Sequence, residues 1–204
     1  VSRILLIRHA HTDMIGVALS GRMPGVRLSN RGREQAERLA ADFIQVPLDV
    51  ICSSPLERTL ETAQAISGTT GVPVEIRDGL IEIDYGEWTG WKLTDLMTDE
   101  QWRMFRSFHG GMRIPGGEHI DEVRVRMVGE VEELQRRFPT GVVALVSHAD
   151  PIRAVLAHYA GIPPELSHRV TISLASVSVL AMNDGPPRIL CINRTEDLRH
   201  YLEA

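Results

Sequence analysis

Ile4-Leu5-Leu6-Ile7-Arg8-His9-Ala10-His11-Thr12 begins as four unbroken apolar residues and ends abruptly on a cation and a histidine. So short an apolar run, bounded by polar residues, reads as a strand with chemistry-bearing side chains at its carboxyl end. Outward from it the pattern repeats. An amphipathic stretch, Asn30 to Phe43, follows; then Val50 to Cys52 precedes Pro55 to Ile66, and Val142 to Val146 precedes Pro151 to Tyr159. Alternating strands and helices predict a mostly parallel sheet covered by helices on both faces, because parallel neighbours need crossover connections. A last pair of apolar runs, Ser176 to Met182 and Arg188 to Asn193, is separated by Asn183-Asp184-Gly185-Pro186-Pro187 and reads as a hairpin at one sheet edge.

Composition places this pattern in an ordinary globular chain. Its 204 residues are 43% hydrophobic and 24% charged, and 22 basic against 27 acidic side chains give a net charge of -5. A chain of that length can bury a core without staples, so Cys52 and Cys191, both in strand-like runs, are expected as free thiols in a reducing, cytoplasmic setting. No apolar run reaches the roughly 18 residues of a membrane span, and the start has only about four apolar residues before a charge, so neither a span nor a secretory signal is expected. The mild acidity argues against a nucleic-acid surface, which needs a clustered positive face.

From about Asp78 to Gly117 the alternation breaks. This stretch holds Tyr85, all three tryptophans, a helix-like piece from Thr94 to Phe108 and the Gly110-Gly111 and Gly116-Gly117 pairs. It is too small for its own core, so the expectation is one domain over 1–204 with a cap insertion at about 78–117. Three helix starts are expected: a capping box at Ser54-Pro55-Leu56-Glu57, a similar device at Asp150-Pro151, and Gly117-Glu118 opening a run to Phe138.

Ligands of open parallel sheets bind beyond the carboxyl ends of the strands. There the sequence places Arg8 and His9 after the first strand, Arg58 one turn into the next helix, His148 after the Val142 strand, and Glu82 after Val74 to Ile76. Two arginines, two histidines and one carboxyl suit a phosphoryl group: forked guanidinium groups match its oxygens, an imidazole nitrogen can attack phosphorus, and a carboxyl can protonate the departing oxygen. With cationic side chains neutralising charge, neither metal nor other cofactor is required. The expected partner is a small-molecule phosphate ester, and a homodimer is admissible.

These residues resemble a known family. Arg8-His9-Ala10-His11-Thr12 is similar to the Arg-His-Gly-x-Thr signature of the histidine phosphatase superfamily, which includes phosphoglycerate mutases. Ser20-Gly21-Arg22, Leu28 to Ala36, Ser53 to Ala63, Glu82 to Gly90, Pro115 to Glu118 and Val146 to Arg153 resemble the family's later segments in order. The resemblance implies a three-layer α/β sandwich with a mixed, mainly parallel sheet. It implies His9 as the nucleophile that becomes phosphohistidine, with Arg8, Arg58 and His148 holding the phosphoryl group and Glu82 as the acid. Thr12 and Arg22 are further expected contacts to phosphate or substrate. The implied activity is metal-independent hydrolysis of phosphomonoesters.

Two positions depart from the pattern. Ala10 stands where the family has glycine, and Ile15 where mutase-like members commonly have asparagine. The alternatives are a phosphomutase, and a binding module that keeps the pocket without turnover. His9-Ala10-His11 also resembles the two-histidine metal site of amidohydrolase barrels, which would need a longer chain and further ligands. His11 is a candidate substrate contact or a solvent-facing residue. Glu118 is expected at a helix start, where a carboxylate complements the dipole. His109, His119, His158, His168 and His200 read as satisfied core or loop residues.

Overall fold

The structure is a computed structural model that describes residues 1–107, 112–183 and 185–195. Phe108, His109, Gly110, Gly111, Asp184 and His200 lie outside the described residues. Six strands form one sheet: β1 (Ser2–Arg8), β2 (Val50–Ser53), β3 (Val74–Ile76), β4 (Val142–Ser147), β5 (Val177–Met182) and β6 (Arg188–Arg194), in the spatial order β3-β2-β4-β1-β5-β6. The first four run parallel; β5 is antiparallel to β1, and β6 pairs antiparallel with β5 at the edge where the hairpin was predicted.

Helices cover both faces, as the alternation requires. Successive side chains of a strand point to opposite faces, and the burial follows that period of two. Leu5, Ile7, Ile51, Ala144 and Val146 pack against α1 (Asn30–Ala41) and α2 (Glu57–Thr70). Ile4, Leu6, Cys52, Val143 and Leu145 face the other way, against α5 (Ile120–Arg137) and α6 (Ala149–Ala160). The result is a three-layer α/β sandwich with a mixed, mainly parallel sheet. Cys52 is buried and free, and burial pushes its thiol up to about 12, which makes it inert. No helix among the described residues is long and apolar enough to cross a membrane.

The stretch between β3 and α5 holds two short 3₁₀ turns (Asp78–Leu80 and Gly86–Trp88), α3 (Leu93–Leu96) and α4 (Glu100–Ser107), so the predicted single helical piece is two. Tyr85, Trp88, Trp102 and Phe105 pack ring to ring, with centroids 5.3 to 6.4 Å apart, and join the same core cluster as Ile4 and Leu145. Gly86 fixes this segment to the chain before α5: its φ is +48°, and a Cβ there would meet the Pro115 carbonyl oxygen at 2.1 Å.

All three predicted helix starts move. α2 begins at Glu57 with Leu56 as its cap, whose apolar side chain makes no hydrogen bond, and Ser54 lies two residues before it with its hydroxyl on His148. α6 begins at Ala149, so Asp150 lies inside its first turn and turns inward, buried. α5 begins at Ile120, where the cap is His119 in a reciprocal box with Glu122. Glu118 falls outside the helix, and its carboxylate is used in another way.

Candidate active site

The carboxyl ends of β1, β2 and β4 are neighbours in the sheet, which brings residues from three distant parts of the chain to one place. Arg8 ends β1 and His9 follows it, its amide donating to the Ser147 carbonyl at the end of β4. His148 is the N-cap of α6, and Arg58 is the second residue of α2. The His9 and His148 rings meet edge to face with centroids 5.3 Å apart. Glu82 enters from the segment after β3, its carboxylate Oε2 lying 3.9 Å from His148 Nδ1. All five sequence-predicted catalytic residues are therefore brought together, and four of them, all but Arg8, are buried.

Local contacts set the protonation of each group. His9 Nδ1 lies 2.7 Å from its neighbour's carbonyl, Ala10 O. A carbonyl only accepts, so Nδ1 carries the proton and Nε2 is left with its lone pair. Burial, then the Arg58 and Arg8 charges, hold the His9 pKa well below the ordinary imidazole value, so the ring is neutral near pH 7. His148 is lowered in the same way, by burial and then Arg58. Its Nε2 sits 2.8 Å from Ser54 Oγ; with that hydroxyl donating, the ring proton lies on Nδ1, which faces the site without a partner. The Glu82 carboxyl is pushed up to about 7 by burial and then by the Asp150 carboxylate, against the opposing pull of Arg58 and Arg8.

The arginines are anchored by one arm and open at the others. Arg58 Nη2 donates to Gly21 O at 2.7 Å, while its Nε and Nη1 are buried without a partner; Arg8 Nη1 donates to Ile172 O at 2.6 Å, while its Nε is likewise orphaned. The Thr12 hydroxyl, 1% exposed, is a further orphan. Unpaired buried polar groups are costly and rare in folded proteins. Three of these residues, Arg8, Arg58 and His148, surround His9 and form a socket whose fitting partner is an anion with several acceptor oxygens. Among the described residues, no group of three or more His, Cys, Asp or Glu side chains is placed to hold a metal ion.

Arg22 is placed differently from the expectation of a phosphate contact. Its Nε donates to the Glu82 carbonyl at 2.8 Å and its Nη2 pairs with Glu118 at 2.9 Å, so the guanidinium holds the backbone that carries Glu82. Glu118 is the hub of that support, also accepting from the Asp84 amide at 3.0 Å and from Arg126, which itself donates to the Glu82 and Gly79 carbonyls. His11 pairs through Nδ1 with the α1 cap Ser29 at 2.8 Å, and its amide donates to Gln35. Ala10 fits without strain: its amide donates to Thr62 Oγ1, and its methyl packs with Leu28 and Ala36. Gly32 admits nothing larger, since a Cβ there would stand 1.9 Å from the His11 carbonyl oxygen.

Sequence reasoning missed Ser54, Arg126 and the triad of buried Tyr85 and Asp150 with half-buried Arg153, in which the Tyr85 hydroxyl donates to Asp150 and Arg153 Nη1 binds it at 2.6 Å. Asp150-Pro151 carried a signal that pointed to a cap instead. Arg126 sits in an amphipathic helix where a surface arginine looks no different from a buried one.

With this geometry in view, the comparison with known proteins is direct. The model of the histidine phosphatase superfamily, branch 1, matches residues 4–195. This chain belongs to that family. Phosphoserine phosphatase 1 of Hydrogenobacter thermophilus is 34% identical to this histidine phosphatase, over 99% of this chain and 97% of its own length. The 2,3-bisphosphoglycerate-dependent phosphoglycerate mutase of Thermoplasma acidophilum is 29% identical, over 97% and 96%. Among solved structures, a mycobacterial glucosyl-3-phosphoglycerate phosphatase complexed with VO3 superimposes with a TM-score of 0.84 at 27% identity, over 94% of this chain and 98% of that one.

Proposed function

We propose that this histidine phosphatase hydrolyses small phosphomonoesters through a phosphohistidine on His9. The carrying observation is the socket of orphaned donors on Arg8, Arg58 and His148 around a histidine whose Nε2 lone pair is free. In the first step Nε2 of His9 attacks phosphorus, the ester P–O bond breaks, and the Glu82 carboxyl gives its proton to the departing alkoxide. In the second the Glu82 carboxylate takes a proton from water, whose oxygen attacks phosphorus; the P–N bond breaks, inorganic phosphate leaves and Glu82 is again protonated. A carboxyl with a pKa of about 7 can serve as acid and then as base at neutral pH. The socket holds the charge that spreads over the equatorial oxygens in both transition states. The segment 78–117 acts as a cap on the leaving-group side of one single unit, and Arg22, through Glu82 and Glu118, positions the acid.

The test is hydrolysis of an aryl phosphate in excess chelator, with His9→Ala beside the wild type. Turnover should persist in chelator and fall by at least about 10⁴-fold in the variant, the scale of removing a nucleophile. Rapid quench into alkaline detergent should trap an alkali-stable, acid-labile phosphoprotein in the wild type alone. Turnover in His9→Ala at the wild-type rate, or its loss to the chelator, overturns the reading.

A further inference from the structure

Arg8 serves the socket only while its guanidinium is held in place, since a donor aimed at a transition-state oxygen is worth what its preorganisation preserves. Its hold is the hydrogen bond from Nη1 to the Ile172 carbonyl at 2.6 Å. That carbonyl belongs to the run 170–173, which leads without helix or strand from the last 3₁₀ turn (Pro164–Arg169) towards β5. The Ile172 side chain is buried, but Thr171 is exposed, and among the described residues neither of the two makes a backbone–backbone hydrogen bond. The position of Arg8 therefore depends on a stretch that needs support from elsewhere.

A second guanidinium gives that support. Arg153, in the second turn of α6, donates through Nε to the Val170 carbonyl at 2.9 Å and through Nη1 to Asp150 Oδ1 at 2.6 Å. Arg8 and Arg153 thus hold carbonyls two residues apart on one short run, and the Arg153 charge is near enough to act on Arg8. Arg153 is itself braced, because Asp150 also receives the Tyr85 hydroxyl from the cap segment.

We propose that Arg153 is a positioning residue for the reaction: by holding the Val170 carbonyl it fixes the run 170–173, and through the Ile172 carbonyl it fixes the Arg8 guanidinium on the phosphoryl group. The inference rests on the reading of Arg8 as part of the phosphate socket. Two other effects belong to the same side chain, its charge near an anion and its share in the stability of the fold, and two substitutions separate them. Arg153→Lys keeps a cation for Asp150 but has no donor at the Nε position, since an ammonium is a point where a guanidinium is a fork. Arg153→Gln does the reverse: its amide nitrogen stands where Nε stood, within reach of Val170, and the charge is gone.

The test is vanadate affinity by titration calorimetry, with denaturant midpoints measured beside it. Arg153→Lys should bind vanadate about five- to tenfold more weakly than the wild type at a nearly unchanged midpoint, the scale of one charge-assisted hydrogen bond. Arg153→Gln should bind within about threefold of the wild type although its midpoint falls, because Asp150 loses its cation. In an Arg8→Met background, where Arg58 and His148 remain to hold the anion, adding Arg153→Lys should change the affinity by less than about twofold, since nothing is left for it to place. Vanadate bound by Arg153→Lys as tightly as by Arg153→Gln, or as tightly as by the wild type, overturns the proposal. An equal loss with and without Arg8 overturns it too. The two readings fail differently: no vanadate binding by the wild type, or none of it lost in Arg8→Met, sinks the socket and this inference with it, whereas a loss in Arg8→Met beside wild-type affinity in Arg153→Lys sinks the inference alone.

Discussion

The floor of the site and the support beneath Glu82 both rest on arginines, and they are built in opposite ways. On the floor, Arg8, Arg58 and His148 are buried or half-buried cationic or polar groups with donors facing nothing. In the support, Arg22 and Arg126 close on Glu118 and on the Glu82 and Gly79 carbonyls, and the Asp84 amide is taken by the same carboxylate. Orphaned groups cost stability and persist where a ligand completes them; completed groups hold a backbone in place. An arginine in the first setting should therefore be dispensable for folding and indispensable for turnover, and one in the second should matter to both.

The largest separation of the two effects is expected at Arg58. Arg58→Met should lower kcat/KM by about 10³-fold, the order of removing a preorganised donor from a transition-state oxygen. The ligand-free variant should be as stable as the wild type or about 1 kcal/mol more so, because an unpaired buried charge is replaced by an apolar chain of similar length. Added phosphate or vanadate should raise the melting temperature of the wild type and leave that of the variant unmoved. Denaturant midpoints with and without ligand measure this crossing. A variant several kcal/mol less stable in the absence of ligand would make Arg58 part of the scaffold and erase the contrast.

Glu118 is the counterpart. Glu118→Gln keeps the shape and removes the charge that Arg22 and Arg126 share, leaving two cations facing each other around the Glu82 segment. Both activity and stability should fall, kcat by about 10- to 100-fold through misplacement of the acid and stability by about 1 to 3 kcal/mol. The kinetic loss should be concentrated in alkyl esters, whose alkoxide needs the proton, and should nearly vanish for esters of acidic phenols. A uniform loss over both kinds of ester would detach Glu118 from the acid.

The pH dependence sharpens the same comparison, since the ionisations on the floor are set by burial. With Glu82 at about 7 and His9 well below the usual imidazole range, kcat/KM for an alkyl ester should be flat just below neutrality and fall tenfold per pH unit above about 7. In Glu82→Gln the alkaline fall should disappear along with most of the activity. Stability follows with a definite sign. The folded Glu82 holds its proton above the ordinary carboxylate pKa, so its favourable contribution is present below about 4.5 and is lost as pH rises through about 7, by about 3 kcal/mol at most. Urea midpoints at pH 5 and pH 8 should show Glu82→Gln gaining on the wild type as pH rises. A gap that is constant with pH would mean that Glu82 titrates like an ordinary surface carboxyl.

Much of this was legible in the chain because a parallel sheet turns sequence order into position: whatever follows β1, β2 and β4 must meet at one edge. His9, Arg58 and His148 were readable from that rule alone, and the sheet with its edge hairpin followed from short unbroken apolar runs between amphipathic stretches. The support was not legible. Arg22 and Glu118 are 96 residues apart, each sits in a loop, and nothing in local pattern says that their charges meet. Ser54 was misread for a more instructive reason. Ser-Pro-x-Glu before an apolar periodicity is a capping box by composition, yet the helix starts two residues later than that box requires: the Ser54 oxygen is left 3.5 Å from the Leu56 amide, and its side chain is turned to His148, 94 residues away. Local grammar loses here to a tertiary partner, as it did at Asp150.

Ser54 supplies the finest test of the contrast between floor and support. If the hydroxyl were a helix cap, Ser54→Ala would destabilise the fold by about 1 kcal/mol and leave kinetics alone. Here the amide it could cap, that of Leu56, stands 3.5 Å away, at the limit of a hydrogen bond, while His148 Nε2 stands at 2.8 Å. Removing the hydroxyl frees the His148 ring to exchange tautomers, so that its Nδ1 proton faces the phosphoryl oxygens only part of the time. Ser54→Ala should therefore lower kcat about three- to tenfold while KM and the denaturant midpoint change little, the scale of one neutral hydrogen bond acting through its neighbour. Nitrogen-15 shifts of the His148 ring should report the loss of a single tautomer in the variant. An unchanged ring signal together with a lowered midpoint would return Ser54 to the role its sequence context suggests.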